Sequence, residues 1–247
     1  MPRIAGAVLA SLLVVGAAGS ALAAAKTPRL TGIWLLDQHT YDRQEEFQPP
    51  LKAEVRTMAE EKRRMRDQGG QSLSDNNKKC LPIGMPGMVT NEFAMEILET
   101  PGRITIASEN SPLIRTLSLT RKTHRQDVEP SWNGDSIAHW EGATLAVETT
   151  RLNDRMSHFP FGFGGALTLT TKITERYRLA KGGKDLINVM TFDDPNVITG
   201  PWTVSYTYHR APAAAELWEY VCEVESAGWS ERFAGDPQFQ KDGAPKP

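Results

Sequence analysis

Cysteine is nearly missing from this chain. Two occur among 247 residues, Cys80 and Cys222, too few for a disulfide-built miniprotein and without a C-x-x-C pair to hold zinc or run thiol exchange. Histidine is sparse too. His39, His124, His139, His158 and His209 show neither H-x-H nor H-E-x-x-H spacing, so no local metal motif is present and no metal is expected. No Gly-rich loop opens a helix after a strand and no G-x-S-x-G elbow occurs, which argues against nucleotide-dependent and serine-hydrolase chemistry and implies no cofactor. With 28 basic against 30 acidic residues there is no positive excess to attract nucleic acid or an anionic membrane surface.

Long apolar runs are confined to the start. Met1-Pro2-Arg3 supplies one positive charge, residues 4–25 are apolar or small, and Ala21-Leu22-Ala23 forms an A-x-A site, the three parts of a secretory signal peptide. A transmembrane anchor is the alternative, but the run ends in small residues instead of a basic stop. The expectation is a leader over 1–23 and one domain over 24–247, periplasmic or secreted and without a membrane anchor. In an oxidising compartment the even pair Cys80 and Cys222 is expected to form a disulfide joining the N-terminal third to the last strand, two buried thiols being the plainer alternative.

What the chain has in quantity is alternation of polar and apolar residues. Residues 135–149, D-S-I-A-H-W-E-G-A-T-L-A-V-E-T, read as two strands meeting at Glu141-Gly142-Ala143. Ser136, Ala138 and Trp140 share one face of the first strand, and Asp135, Ile137, His139 and Glu141 the other, because strand side chains alternate. Further strands are expected at 30–36, 92–98, 103–108, 113–119, 167–179, 185–192, 202–209 and 216–223, most of them separated by short turn signals. Residues 50–67 change period. Leu51, Val55, Met58 and Met65 lie near helical spacing among many charges, with Pro49 and Pro50 before and Gly69-Gly70 after, which predicts one helix on the surface of the domain. Two connections are longer, 121–134 and 151–166, and the second carries His158-Phe159-Pro160-Phe161-Gly162-Phe163, the composition of a loop over an opening.

The Gly32-Ile33-Trp34 segment on the first strand resembles the G-x-W signature with which lipocalins and related barrels begin. That resemblance implies an all-β, antiparallel up-and-down lipocalin-like barrel with one N-terminal surface helix, and a Trp34 packed beneath a basic side chain from the last strands, for which Arg210 is nearest. Over most of the mature length the chain also resembles a group of uncharacterised secreted bacterial proteins. The shared motifs are L-T-G-x-W at Leu30, C-L-P-x-G-x-P at Cys80, T-P-G-R-I at Thr100, W-x-G-x-S at Trp132, H-W-E-G-x-T-L at His139, D-D-P at Asp193, P-W-T at Pro201 and E-Y-V-C-E at Glu219. The chain departs from that pattern at Ala143, where the group has Asp, and over 164–167, where it has a His-Ser-Glu run. The resemblance implies export and one β domain, with no activity attached.

These readings converge on capture of a small apolar or aromatic molecule at the barrel mouth. Trp132, Trp140, Phe161, Phe163, His158 and Tyr206 are the expected contacts, with His139 and Glu141 as orienting polar groups. A competing reading is a cofactor-independent lyase or isomerase with His139, Glu141 and Asp135 as acid-base groups. A third is an envelope structural or interaction protein with a filled barrel. An enclosed pocket separates the first two from the third.

Overall fold

A computed structural model of the protein describes residues 27–43, 48–67, 81–155 and 168–219. The strands are β1 (Gly32–Leu36), β2 (Met95–Thr100), β3 (Arg103–Ser108), β4 (Ser111–Ser118), β5 (Asp135–Glu141), β6 (Thr144–Thr150), β7 (Lys172–Ala180), β8 (Asp185–Asp193) and β9 (Trp202–Arg210). Each pairs with the next, and β9 returns to β1 through Trp34↔Arg210 and Leu36↔Tyr208, so they close one barrel. The expected lipocalin-like barrel is therefore present. Closure leaves no row of unpaired backbone groups where β1 and β9 meet, which is the gain that drives a sheet to curl on itself.

One junction departs from the expected antiparallel meander. β5 lies parallel to β4, and only Leu117↔Ser136 and Ser118↔Ile137 pair. Parallel neighbours need a crossover of about a dozen residues or more, and the 119–134 connection is long enough to carry the chain back to the same end. Of the tenth strand expected at 216–223, residues 216–219 are irregular, and 220–223 lie outside the described residues.

Helices are few: α1 (Gln38–Asp42), α2 (Ala53–Asp67) and α3 (Gly87–Thr90). α2 is the expected surface helix, with Val55 and Ala59 buried four residues apart on one face and Met58 exposed, while Leu51, ahead of the helix, forms an isolated β-bridge with Ile198. They pack beside Val197 and Ile198, where Lys52 N–H donates to the Val197 carbonyl at 2.9 Å.

Inside, the alternation does what strand geometry requires. Met95 and Ile97, Ile104 and Ile106, Leu145 and Val147, Leu186, Met190 and Phe192, and Val204 all face inward and are buried. Each such side chain contributes about 1.5–3 kcal/mol on leaving water. Trp34 closes one end with no exposure, its Nε1–H donating to the Leu30 carbonyl at 2.9 Å. Phe192 and Trp202 stack at 5.4 Å between centroids where β8 and β9 meet.

Candidate functional site

The centre of the barrel is polar. On β4 the inward positions are Leu113, Arg115 and Leu117, and on β7 they are Ile173, Glu175 and Tyr177. The alternation therefore drives one guanidinium and one carboxylate into the core with the apolar residues on either side of them. Arg115 is 1% exposed and Glu175 0%. Burying two charges is tolerable only where they pair and their remaining hydrogen bonds are satisfied. Here they are. Arg115 Nη1 donates to Glu175 Oε1 at 3.1 Å and its Nη2 donates to Glu175 Oε2, making a two-pronged pair. Nη2 also reaches Thr149 Oγ1 at 2.9 Å, and Ser136 Oγ shares a 2.8 Å hydrogen bond with that hydroxyl. Tyr177 OH donates to Glu175 Oε1 at 2.7 Å, and Asn188 Nδ2 to the same oxygen at 3.3 Å.

Two polar atoms beside this network have no protein partner: Asn188 Oδ1 and the Tyr206 hydroxyl, both on side chains with 0% exposure. Asn188 and Tyr206 are cross-strand partners on β8 and β9. Each orphan costs about 1–3 kcal/mol relative to a satisfied group. Tyr208, two residues along the same face, has its own outlet, donating to the Val89 carbonyl of α3 at 2.6 Å. Burial holds the Tyr206 and Tyr177 phenols well above their ordinary range, with the Glu175 charge adding to the effect at Tyr177, so both remain protonated donors. For Arg115 burial works toward a lower value, and the Glu175 charge and hydrogen bond overcome it and keep the guanidinium charged.

The network reaches the surface at the β4–β5 junction. A cleft of about 670 Å³ opens there, lined by Leu113, Ile114, Trp132, Asn133, Arg121 and Ser136 among others. Ser136 is both part of its wall and a partner of Arg115, accepting from Nε at 3.4 Å. Trp132 is fixed from behind. Its carbonyl accepts from Met85 N–H at 2.9 Å, and a Cβ on Gly84, whose φ is +62°, would lie 2.4 Å from that oxygen. The C-L-P-x-G-x-P and W-x-G-x-S motifs are thus two halves of one contact.

The described members of the expected site lie on different faces of the barrel. Of the expected ligand contacts, Trp132 lines the cleft, Trp140 faces inward and packs on the core, and Tyr206 stands in the interior. His139 and Glu141 lie on the outer wall, 62% and 43% exposed, because the face they share with Ile137 is the one turned from the axis, and most of the 151–166 loop expected to share a pocket with them lies outside the described residues. His139 Nε2 pairs with Glu141 Oε1 at 3.0 Å, and Arg176 Nη2 with Glu141 Oε2 at 2.5 Å. His139 borders a second cleft, about 600 Å³, that lies on this outer wall beside Arg121, Glu148 and Arg176.

Asp135 also faces outward, but it is 2% exposed, because the 119–134 connection folds over it. It accepts from Arg121 Nη1 at 2.8 Å, Arg125 Nε at 3.0 Å and the His124 ring at 3.0 Å. Burial alone would raise its pKa. The Arg121, His124 and Arg125 hydrogen bonds outweigh that and hold it far below the carboxylate range, so it stays ionised. His158, Phe161, Phe163, Cys80 and Cys222 lie outside the described residues. Among the described residues no group of three or more His, Cys, Asp or Glu is placed to hold a metal ion, and no helix is long and apolar enough to cross a membrane.

No family model matches this chain, and no curated protein matches it. Among solved structures, a mutant of the fluorescent protein UnaG is similar at 12% identity, covering 74% of this chain and 96% of that one, with a TM-score of 0.35. The REP1-NXSQ fatty acid transporter is similar at 9% identity with the same coverage and a TM-score of 0.34. At these levels the class of the fold, a closed lipocalin-like barrel, rests on the strand order itself.

Proposed function

We propose that the protein binds a small, chiefly apolar molecule carrying one polar group inside the barrel, in a compartment outside the cytoplasm, and that it does not transform it. The observation that carries this reading is the pair of fully buried, unpartnered polar atoms, Asn188 Oδ1 and Tyr206 OH, beside an otherwise satisfied network. A barrel selected only for stability would have apolar residues there, and a local breach of packing rules of this kind marks sites kept for function. One acceptor and one hydroxyl suit a neutral ligand head with an N–H or O–H. The interior charge is already balanced, because Glu175 occupies the fork of Arg115 that a ligand carboxylate would otherwise take.

To reach these atoms a ligand has to displace buried core side chains. Met95 and Met190 are unbranched and give way most readily. The two-pair β4–β5 junction is the weakest part of the wall and lies at the cleft leading to Ser136. Binding is favoured over catalysis by the state of the proton carriers. Glu175 is locked by Arg115, His124 is held on both ring nitrogens by Asp135 and Glu148 at 3.0 and 3.1 Å, and His209 by Asp185 and Asp37 at 3.0 and 2.8 Å. Each is engaged by charged partners within the fold, and His139 lies on the outer wall, away from the interior.

The test is fluorescence titration with N-phenyl-1-naphthylamine, an uncharged apolar probe with a single N–H. Saturable binding at one probe per chain, weakened about tenfold by Asn188→Leu for the loss of a buried hydrogen bond, is the expected outcome. Absence of saturable binding, or equal binding by the variant, contradicts the proposal.

A further inference from the structure

The cleft at the β4–β5 junction holds more positive charge than the fold itself uses. The two strands meet only at Leu117↔Ser136 and Ser118↔Ile137, and the cleft of about 670 Å³ opens beside those pairs. Three arginines line it, Arg103, Arg121 and Arg125, against one carboxylate, Asp135. The chain as a whole has 30 acidic against 28 basic residues, so the excess is local.

Strand geometry explains how the three converge. Arg103 on β3 pairs with Ser118 and Ser118 with Ile137, which sets Arg103 on the same outward face as Asp135, two strand spacings or about 10 Å from β5. Arg121 and Arg125 come over from the 119–134 connection. Arg121 is fully engaged, its Nη1 donating to Asp135 Oδ2 at 2.8 Å and its Nη2 to the Ser136 carbonyl at 3.2 Å. Arg125 gives only its Nε to Asp135 Oδ1 at 3.0 Å, and its side chain is 53% exposed. Among the described residues, the two Nη groups of Arg125 and the whole guanidinium of Arg103 have no partner.

Two further features of the cleft point past a simple counterion. Ile114 is 65% exposed there, beside Leu113 and Trp132, an apolar surface that an inorganic ion would leave in contact with water. Asn133 Oδ1, in the same wall, is buried and has no hydrogen-bond donor.

We propose that this cleft binds a small organic anion with a flat apolar body. Arg103 and Arg125 take the anionic group, since planar N–H forks match the oxygens of a carboxylate, sulfonate or phosphate. The body lies on Ile114 and Trp132, and an N–H or O–H on it meets Asn133 Oδ1. The site is built from the outer wall and the 119–134 connection, so it does not rest on the reading of the barrel interior.

The test is calorimetric titration of the protein with 8-anilino-1-naphthalenesulfonate, which is the arylamine of the interior test with one sulfonate added. Saturable binding of one probe per chain is expected, weakened about tenfold by Arg103→Gln for the loss of a charge-assisted pair and about threefold by Ile114→Ser for the loss of apolar contact. Both side chains are exposed, so urea midpoints of the variants should match the wild type. Absence of saturable binding, or equal binding by Arg103→Gln, overturns the proposal. So does loss of sulfonate binding in Asn188→Leu, or displacement of the sulfonate by one equivalent of N-phenyl-1-naphthylamine, either of which assigns both probes to the interior. Binding of the sulfonate without binding of the neutral amine refutes the interior reading and supports this one, and the reverse result does the opposite.

Discussion

Arg210 lays its guanidinium over the indole of Trp34, 4.1 Å from the ring centroid, and its Nη1 donates to the Thr31 carbonyl at 2.8 Å. The two are cross-strand partners on β9 and β1, so this contact clasps the closing seam of the barrel. Gly32 makes room for it. Its φ is +139°, and a Cβ there would stand 2.5 Å from Arg210 Nη1. Trp34→Ala is therefore expected to cost about 3–5 kcal/mol, as for a large aromatic lost from a core. Arg210→Ala should cost about 1 kcal/mol, since its guanidinium is exposed. Urea unfolding midpoints check both, and a Trp34→Ala loss below that of Arg210→Ala would contradict the closure role.

The buried pair makes an asymmetric prediction. Glu175→Leu leaves the Arg115 charge in the core without its counterion and should destabilise by about 3–5 kcal/mol. The double replacement Arg115→Met with Glu175→Leu removes both charges and should recover most of that loss. A double-mutant cycle in urea measures the difference. Strict additivity would show that the two groups do not depend on each other.

The pH dependence divides between two ends of the molecule. The His209 pKa is raised, first by its hydrogen bond to Asp185 and then by that to Asp37. Its contribution to stability is therefore full below the unfolded value of about 6.5 and is lost as pH rises through the higher folded value. Because the ring is about half exposed, the effect is small and is best seen as a shrinking advantage of the wild type over His209→Gln between pH 6 and 9. Asp135 has the opposite sign. Its depressed pKa gives stability present above about pH 4 and lost as pH falls, so Asp135→Asn should destabilise at neutral pH and converge on the wild type in acid. Protease cleavage within the 119–134 connection reports the same loss locally.

Asp194 explains the D-D-P motif. It is 1% exposed and accepts from Thr168 N–H at 3.1 Å, Asn196 N–H at 3.0 Å and the Thr171 hydroxyl, fixing the segment that enters β7 to the end of β8. Asp194→Ala should cost about 2–3 kcal/mol by leaving several donors unmatched. Thermal unfolding that is unchanged would count against that role.

Much of the wall was legible in the sequence. The alternation placed β3 at its observed bounds and β5 and β6 as a hairpin within a residue of theirs, because a half-buried strand has to repeat every second residue. Which face turned inward was not legible for β5. Its inward Ser136, Ala138 and Trp140 are no more apolar in character than a wet face with one good aromatic, and the histidine and carboxylate opposite drew the functional expectation outward. Arg115 and Glu175 were missed for the same reason, since a charge on a strand is usually solvated. A signal was there: Arg115 is in phase with Leu113 and Leu117, and Glu175 with Ile173 and Tyr177. A charge that keeps the apolar phase of its strand is a candidate for the interior. The parallel β4–β5 junction lay beyond local pattern altogether, because direction is set by where a long connection returns and not by the residues that pair.

The interior hydroxyl gives the most direct test of the account. Tyr206→Phe deletes an unpartnered buried oxygen and is expected to leave the empty protein as stable as the wild type or up to about 1 kcal/mol more stable. Native mass spectrometry of protein recovered from cells that produce it should then show one small molecule retained per chain in the wild type and less of it in Tyr206→Phe. A wild-type chain that carries no bound molecule and also binds no apolar probe, or one whose bound fraction is untouched by the substitution, would contradict the claim that this barrel is built around a ligand.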